Sequence, residues 1–195
     1  MTGPPPNSDD GPRLPRLETE RLVVRPLTID DAEAVRLTVE GVHAGWLEWA
    51  AASYEQLEAL NQPPYGERGI ELRQTGELIG MVGLVPSMGP FAQLPGFGGE
   101  VGDPGRFRPE VGMFWSLAPP HRGRGYATEA AQAVIGHGFG ALNLARIVAT
   151  TERDNAASIA VMRRLGMRVE ENPLPEPHWF QVVGWLDWGS GTAGA

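Results

Sequence analysis

The segment Arg122-Gly123-Arg124-Gly125-Tyr126-Ala127 is the most informative part of this chain because of the residues on either side of it. A mostly apolar stretch, residues 110–117, comes before it, and an alanine-rich stretch, residues 126–142, comes after it. This succession predicts a strand, a tight turn and a helix. Glycines let a backbone turn tightly and approach a ligand, and a helix N-terminus presents unpaired amides to an anion. Together with the two arginines, the pattern predicts a loop that binds a phosphate or pyrophosphate.

The composition excludes several other kinds of site. All 16 basic residues are arginines, so the chain has no lysine for a nucleotide-triphosphate phosphate loop or for a Schiff base. The glycine spacing also differs from the Gly-x-Gly-x-x-Gly pattern of dinucleotide sites. The absence of cysteine excludes disulfides, thiolate metal sites and cysteine nucleophiles. An exposed strand-to-helix turn, in a chain with 26 glycines, remains the alternative interpretation of the loop.

Charge and hydropathy limit the partners. The 24 acidic and 16 basic residues give a formal net charge of −8, which argues against nucleic acid and anionic membranes as general partners. The first ten residues lack the basic and then apolar pattern of a secretory signal. The longest uncharged stretch, Leu78 to Gly99, contains three prolines and is not expected to cross a membrane. We therefore expect a cytoplasmic protein that binds neither nucleic acid nor membrane.

The composition divides the chain into one domain, residues 17–188, between two flexible tails, residues 1–16 and 189–195. Apolar periodicity and turn signals predict these elements in order: a strand at 21–27, helices at 28–39 and 53–60, strands at 69–73 and 77–85, an irregular connection at 86–109, a strand at 110–117, a helix at 126–142, a strand at 145–151, a helix at 156–165 and a strand at 178–188. Thr28 is predicted to cap the first helix, and Ser53 with Gln56 the second. This order predicts a mixed α/β fold with helices on both faces of a sheet.

Several motifs in one order resemble a known family, the GNAT superfamily of acyl-coenzyme-A-dependent N-acetyltransferases. Its loop signature is met by Arg122, Gly125 and Ala127. The other matching pieces are Leu-Glu-Thr-Glu-Arg-Leu-Val-Val-Arg-Pro-Leu (17–27), Gly-Tyr-Ala-Thr-Glu-Ala (125–130), Asp-Asn-Ala-Ala-Ser (154–158) and Leu-Gly-Met (165–167). These pieces are similar to the ribosomal-protein alanine N-acetyltransferase (RimJ/RimL-like) branch.

The resemblance implies a mostly antiparallel sheet whose strands splay apart at the coenzyme site. It implies acetyl-CoA as the acyl donor, with direct attack by a primary amine, either a protein N-terminus or a small molecule, and it implies no metal. Asn155 is implied to contact the coenzyme arm, and it is also a natural helix N-cap. The residues implied to bind the coenzyme are Leu117, through its backbone, and Arg122, Gly123, Arg124, Gly125, Tyr126, Ala127 and Asn155.

The catalytic residues are less clearly marked. Many members of the family take the proton for the departing thiolate from a tyrosine on the helix after the asparagine, but residues 156–165 contain no tyrosine. Ser158 is the predicted substitute, with a solvent-facing helix serine as the alternative. Glu110 is the predicted base, acting through water, and a surface glutamate at a strand start is the alternative. A non-catalytic protein that binds acyl-CoA as a sensor or interaction domain is therefore a second hypothesis.

The long connection at 86–109 adds a prediction about the acceptor side. Its residues Phe91, Leu94 and Phe97 offer apolar contacts, and glycines 96, 98 and 99 leave the backbone pliable, which favours a movable cover over the active site or an arm reaching a second subunit of a homodimer. A passive surface loop is the alternative. Trp46 and Trp49 could line an acceptor cleft, or they could belong to the core.

Overall fold

The computed structural model describes residues 16–38, 45–99 and 106–189, and within them eight strands form one sheet in the order β1-β2-β3-β4-β5-β6-β8-β7. The strands are β1 (Leu17–Glu18), β2 (Leu22–Pro26), β3 (Gly66–Leu72), β4 (Leu78–Gly89), β5 (Arg108–Leu117), β6 (Arg146–Thr151), β7 (Arg168–Glu171) and β8 (Val182–Asp187). All neighbouring strands are antiparallel except β5 and β6, which are parallel. The predicted mixed, mostly antiparallel sheet is confirmed.

Helices cover both faces of this sheet, as predicted. They are α1 (Ala32–Thr38), α2 (Trp46–Ala59), α3 (Tyr126–Gly140) and α4 (Ala156–Arg164). Because successive strand residues point to opposite faces, Met81 packs with α1 and α2 while Val82 packs with α3 and α4. Even the longest described helix, α3 with 15 residues, is too short to span a bilayer, and no helix in the described ranges has the length and apolar character to do so.

Local sequence signals placed most of the helix and hairpin boundaries correctly. Thr28 begins the first helical segment, and its backbone amide donates to the Asp31 carboxylate at 2.8 Å. Gly76 has φ +74° in the predicted turn between β3 and β4, and Gly166 has φ +78° just after α4. Left-handed backbone of this kind favours glycine. Val39, the last residue of the predicted first helix, lies outside the described residues.

The predicted start of the second helix is wrong. α2 begins at Trp46, so Ser53 lies in the middle of the helix and not at its N-terminus. The Ser53 hydroxyl donates to the Ala50 carbonyl oxygen at 2.8 Å, a bond that satisfies a serine within a helix. Pro63 and Pro64 follow the end of α2, where they do not interrupt it.

Two short strands were not predicted. β1 has only two residues, and β7 has the sequence Arg-Val-Glu-Glu, which lacks the apolar alternation of a strand with one buried face. β7 pairs with β8 at the edge of the sheet. The predicted last strand is also shorter than expected, because His178–Phe180 forms a 3-10 helix before β8.

Most described residues of the stretch 86–109 belong to strands or 3-10 helices. β4 continues to Gly89 and β5 begins at Arg108, so both ends of the predicted connection belong to strands and residues 90–107 lie between them. Pro86 is compatible with β4 because β3 pairs with β4 only as far as Leu84. The missing amide hydrogen of Pro86 would point to this open edge, where no ladder bond is lost.

The prediction of a movable cover is wrong for residues 86–99. Phe91 and Leu94 are fully buried, and with Phe97 they form a cluster with Phe180, Val148, Val183 and Trp185. The rings of Phe91 and Phe180 meet edge to face at 5.1 Å. Segment 91–97 thus covers β6 and β8 on the sheet face that α1 and α2 cover elsewhere. Residues 100–105 lie outside the described residues.

Candidate active site

A gap in the sheet defines the site. β4 and β5 pair along their whole common length, from Gly80 and Leu117 to Gly89 and Arg108. β5 and β6, by contrast, share a single register pair, Gly112 with Val148. After this pair the two strands diverge, and no described residue pairs with β5 on that side. The predicted splayed strands are confirmed.

The backbone of β5 presents polar groups to this gap. The Ala118 amide donates to the Ile79 carbonyl at 2.9 Å, which marks this pair as hydrogen-bonded in the antiparallel ladder. Because bonded and non-bonded pairs alternate, the amide and carbonyl groups of Trp115 and Leu117 point away from β4 into the gap. The Leu117 carbonyl accepts a bond from Nε of Arg122 at 2.9 Å. The sequence motifs did not predict that the backbone of Trp115 faces the gap. The alternation of residues along a strand, counted back from Leu117, could have identified it.

The glycine-rich loop ends at the N-terminus of α3, next to the gap. Gly123 and Gly125 have φ +75° and +82°, so the two glycines supply the left-handed turns that the loop needs. Gly125 is the N-cap of α3, and no side chain at that position bonds to the amides of the first turn. The free amides and the positive end of the helix dipole form an anion-binding geometry.

The gap, the loop and the N-terminus of α4 enclose one cleft of about 1300 Å³. Arg164 and Gln132 also line it, as do three residues before β2, Glu18, Thr19 and Glu20. The sequence-predicted residues that the structure brings together there are Leu117, Arg122, Gly123, Gly125, Ala127, Asn155 and Ser158.

Arg124 and Tyr126 belong to the loop segment but do not line the cleft. The carbonyl oxygen of Arg124 accepts a bond from Nη1 of Arg21 at 3.0 Å. Tyr126 packs against the large core, and the guanidinium of Arg21 lies 4.6 Å from its ring centre. Their contact with a coenzyme stays a prediction. In the structure both residues contact Arg21.

Asn155 and Ser158 meet at the start of α4. Oδ1 of Asn155 accepts a bond from the Ser158 amide at 3.1 Å, so Asn155 caps the helix as expected. The bond fixes the first turn of α4 and holds the half-buried Ser158 at the wall of the cleft.

Glu110 is not among the residues that line the cleft. It lies two residues before Gly112, toward the end of β5 away from Leu117, with Oε1 3.9 Å from Nη1 of Arg146. Burial raises the pKa of Glu110, while the charges of Arg146 and Arg108 act in the opposite direction. Nε of Arg146 is bound more closely by Asp187, at 2.6 Å.

The remaining sequence candidates fall outside the cleft. Trp46 packs against the core beside α1 and α2, and Trp49 is exposed on α2. His121, the residue before the loop, is also absent from the cleft lining, and its Nε2 lies 3.1 Å from Oε1 of Glu77. Among the described residues, no three acidic or histidine side chains come together as a metal site would require.

The family comparison agrees with this geometry. The family described as acetyltransferase (GNAT) domain matches residues 21–168. The chain belongs to the GNAT acetyltransferase family. It is accordingly an acyl-CoA-dependent N-acetyltransferase, and the resemblance to the GNAT superfamily seen in the motifs is confirmed. The RimJ/RimL-like branch within GNAT stays a prediction.

Individual relatives support the assignment to GNAT. The uncharacterized N-acetyltransferase YoaA of Bacillus subtilis is 33% identical over 169 residues, which cover 80% of this chain and 85% of that protein. The crystal structure of an acetyltransferase from Agrobacterium tumefaciens superposes with a TM-score of 0.64 at 27% identity, over 89% of this chain and 94% of the other. The ribosomal-protein-S5-alanine acetyltransferase of Vibrio fischeri shares the fold, with a TM-score of 0.62 at 18% identity over 90% and 98% of the two chains.

Proposed function

We propose that this protein transfers the acetyl group of acetyl-CoA to a primary amine, by direct attack of the amine nitrogen on the thioester. The observation that carries the proposal is the gap between β5 and β6, which opens beside the glycine loop and the uncapped N-terminus of α3. A long coenzyme with an amide-rich arm and a pyrophosphate matches both halves of this cleft. The chain has no cysteine, so a cysteine-bound acyl intermediate is excluded.

The proposed placement of the coenzyme follows from the groups that face the cleft. The pantetheine arm would take the position of a missing strand beside β5, bonded to the backbone of Trp115 and Leu117. The pyrophosphate would bind the amides of the loop from Gly123 to Ala127, with the Arg122 guanidinium beside it. Arg164 adds a second positive charge to the cleft wall.

The reaction needs three things from the protein: a neutral amine, a stabilised oxyanion and a proton for the thiolate. A carbon–nitrogen bond forms and the carbon–sulfur bond breaks, and a proton must reach the sulfur. Ser158 is the proposed donor, since its hydroxyl lies at the cleft wall on the first turn of α4. Glu110 is the proposed acceptor of the ammonium proton; because it does not line the cleft, the proton would reach it through water, and burial raises the pKa of its carboxyl group.

A second function is favoured by one observation, the lack of tyrosine in α4. A GNAT domain without the usual acid could hold acyl-CoA as a sensor and release no product. The two hypotheses share coenzyme binding and differ in turnover.

One experiment separates them. Isothermal titration with acetyl-CoA should show one-to-one binding, and no heat at saturating protein would refute both hypotheses. Free thiol is then measured with N-terminal peptides and with small amines, including polyamines, against a blank without amine. Sustained thiol release above the blank supports the enzyme, and binding without release with every amine supports the sensor.

A further inference from the structure

One arginine of the segment before β2, Arg21, binds both the glycine loop and Glu129, a residue of α3 that lines the cleft. The backbone amide and Nε of Arg21 donate to the Glu129 carboxylate at 2.9 and 2.7 Å, although the two residues are 108 positions apart in the chain. Nη1 of Arg21 reaches further and donates to the carbonyl oxygen of Arg124 at 3.0 Å. One guanidinium thus joins the first turn of α3 to the loop before it.

Glu129 is held as a charged anchor for this arginine. The Thr19 hydroxyl donates to Oε1 of Glu129 at 2.6 Å, in addition to the bonds from Arg21. Burial acts to raise the pKa of Glu129, but the hydrogen bonds from Thr19 and Arg21 outweigh it and lower the pKa. The carboxylate therefore stays ionised at neutral pH and fixes the orientation of the guanidinium.

The arginine touches three consecutive residues at the end of the loop. Besides the Arg124 carbonyl, it covers the Tyr126 ring at 4.6 Å, and Nη2 lies 3.4 Å from the place where a Cβ on Gly125 would stand. In a planar trans peptide the carbonyl and the following amide hydrogen point in opposite directions. While Arg21 holds the Arg124 carbonyl, the Gly125 amide therefore faces away from Arg21.

We propose that Arg21 is a positioning residue for the pyrophosphate site: it fixes the Arg124–Gly125 peptide so that the Gly125 amide is available to the coenzyme. The inference rests on the proposed coenzyme site and adds to it a residue that lies outside the cleft lining. Arg21 acts through the loop backbone and does not itself contact the coenzyme.

The test compares Arg21→Ala and Arg21→Lys with the wild type and with Arg73→Ala as a matched control. Arg73 holds the same segment from another side: Nη1 donates to the Thr19 carbonyl at 2.6 Å, and Nη2 lies 3.5 Å from Glu18. Its side chain is 46% exposed and that of Arg21 43%. Arg21→Lys keeps the positive charge but lacks the forked guanidinium, which binds Glu129 and Arg124 at the same time. This second variant keeps the test valid if Arg21→Ala unfolds.

The Kd for coenzyme A should rise about tenfold in both Arg21 variants, the loss expected for one charged hydrogen bond. Arg73→Ala should stay within about twofold of wild type, as an ordinary surface substitution does. With S-acetylpantetheine as donor, which has no pyrophosphate, the KM of the Arg21 variants should equal that of wild type.

Three results would overturn the inference. If the Kd for coenzyme A rose equally in the Arg21 and Arg73 variants, the segment would act only through general stability. The same would follow if the KM for S-acetylpantetheine rose in the Arg21 variants as much as the Kd for coenzyme A. Coenzyme affinity unchanged in both Arg21 variants, with wild-type binding intact, would leave the proposed function standing without this residue. A wild-type protein that binds no coenzyme would instead refute the proposed function and this inference with it.

Discussion

The substitution Gly125→Ala should have a conformational free-energy cost that follows from the backbone conformation of the loop. Gly125 has φ +82° directly before α3, and a residue with a Cβ adopts such a left-handed conformation at a cost of about 1–2 kcal/mol. The new Cβ would meet only Nη2 of Arg21, at 3.4 Å, which is an ordinary contact. Steric overlap therefore adds little, and the conformational cost dominates.

This cost can appear in one of two measurable quantities. If the loop keeps its conformation, the strain is present with and without coenzyme, so the free energy of unfolding falls and the affinity does not change. If the loop relaxes, stability is kept, and the lost geometry weakens binding by up to about 5- to 30-fold. The losses in unfolding and in binding free energy should therefore add up to about 1–2 kcal/mol.

Urea denaturation and isothermal titration with coenzyme A measure the two losses on the same Gly125→Ala protein. Gly136→Ala is the matched control, because this glycine lies within α3, outside the left-handed region, and its Cβ would meet nothing within 4 Å. The control should gain about 1 kcal/mol of stability from helix propensity and bind coenzyme as wild type does. If Gly125→Ala matched wild type in both stability and affinity, the account of the loop would be refuted.

Three further substitutions test the site and the core. Ser158→Ala should lower kcat by about 100-fold with the Kd for coenzyme A unchanged, as loss of a general acid predicts, and thiol release measures it; an unchanged kcat removes Ser158 from the reaction. Glu110→Gln should lower kcat/KM and abolish its fall at low pH, because a base must lose its proton and burial has raised the pKa of Glu110. An unaltered pH profile would assign Glu110 to structure alone. Phe91→Ala should cost about 3–5 kcal/mol of unfolding free energy, since the ring is fully buried, and a surface loop would show almost no loss.

The loop and its helix could be predicted from sequence because their information is local. Gly123 and Gly125 adopt left-handed backbone that glycine favours, and Asn155 caps the helix that begins at the next residue. Such signals span a few residues and can be recognised without knowledge of any tertiary contact. The family motifs then placed this loop beside a splayed strand pair, which the register of β5 and β6 confirms.

What sequence reasoning missed depends on contacts between distant segments. The bond between Arg21 and Glu129 has no local signature, and neither does the packing of Phe91 on Phe180. Glycine and proline between Pro86 and Pro109 suggested an irregular loop, yet the same composition allows two short 3-10 helices that bury aromatic rings. Glu110 was predicted as a base from its position at the start of a strand. Its proximity to Arg146 of β6 depends on the register between β5 and β6, which the sequence does not show.

The gap between β5 and β6 divides the sheet into two hydrogen-bonded blocks, β1–β5 and β6–β8, which one register pair connects. A site that needs an open strand edge thereby gives up the backbone bonds that would join its two halves. The cluster around Phe91 replaces them, because it follows β4 in the first block and packs on Val148, Val183 and Trp185 of the second. The segment with the composition of a lid is thus a brace between the two blocks at the Arg108 end of β5, away from the opening, and apolar burial there supplies cohesion that the ladder lacks at the other end.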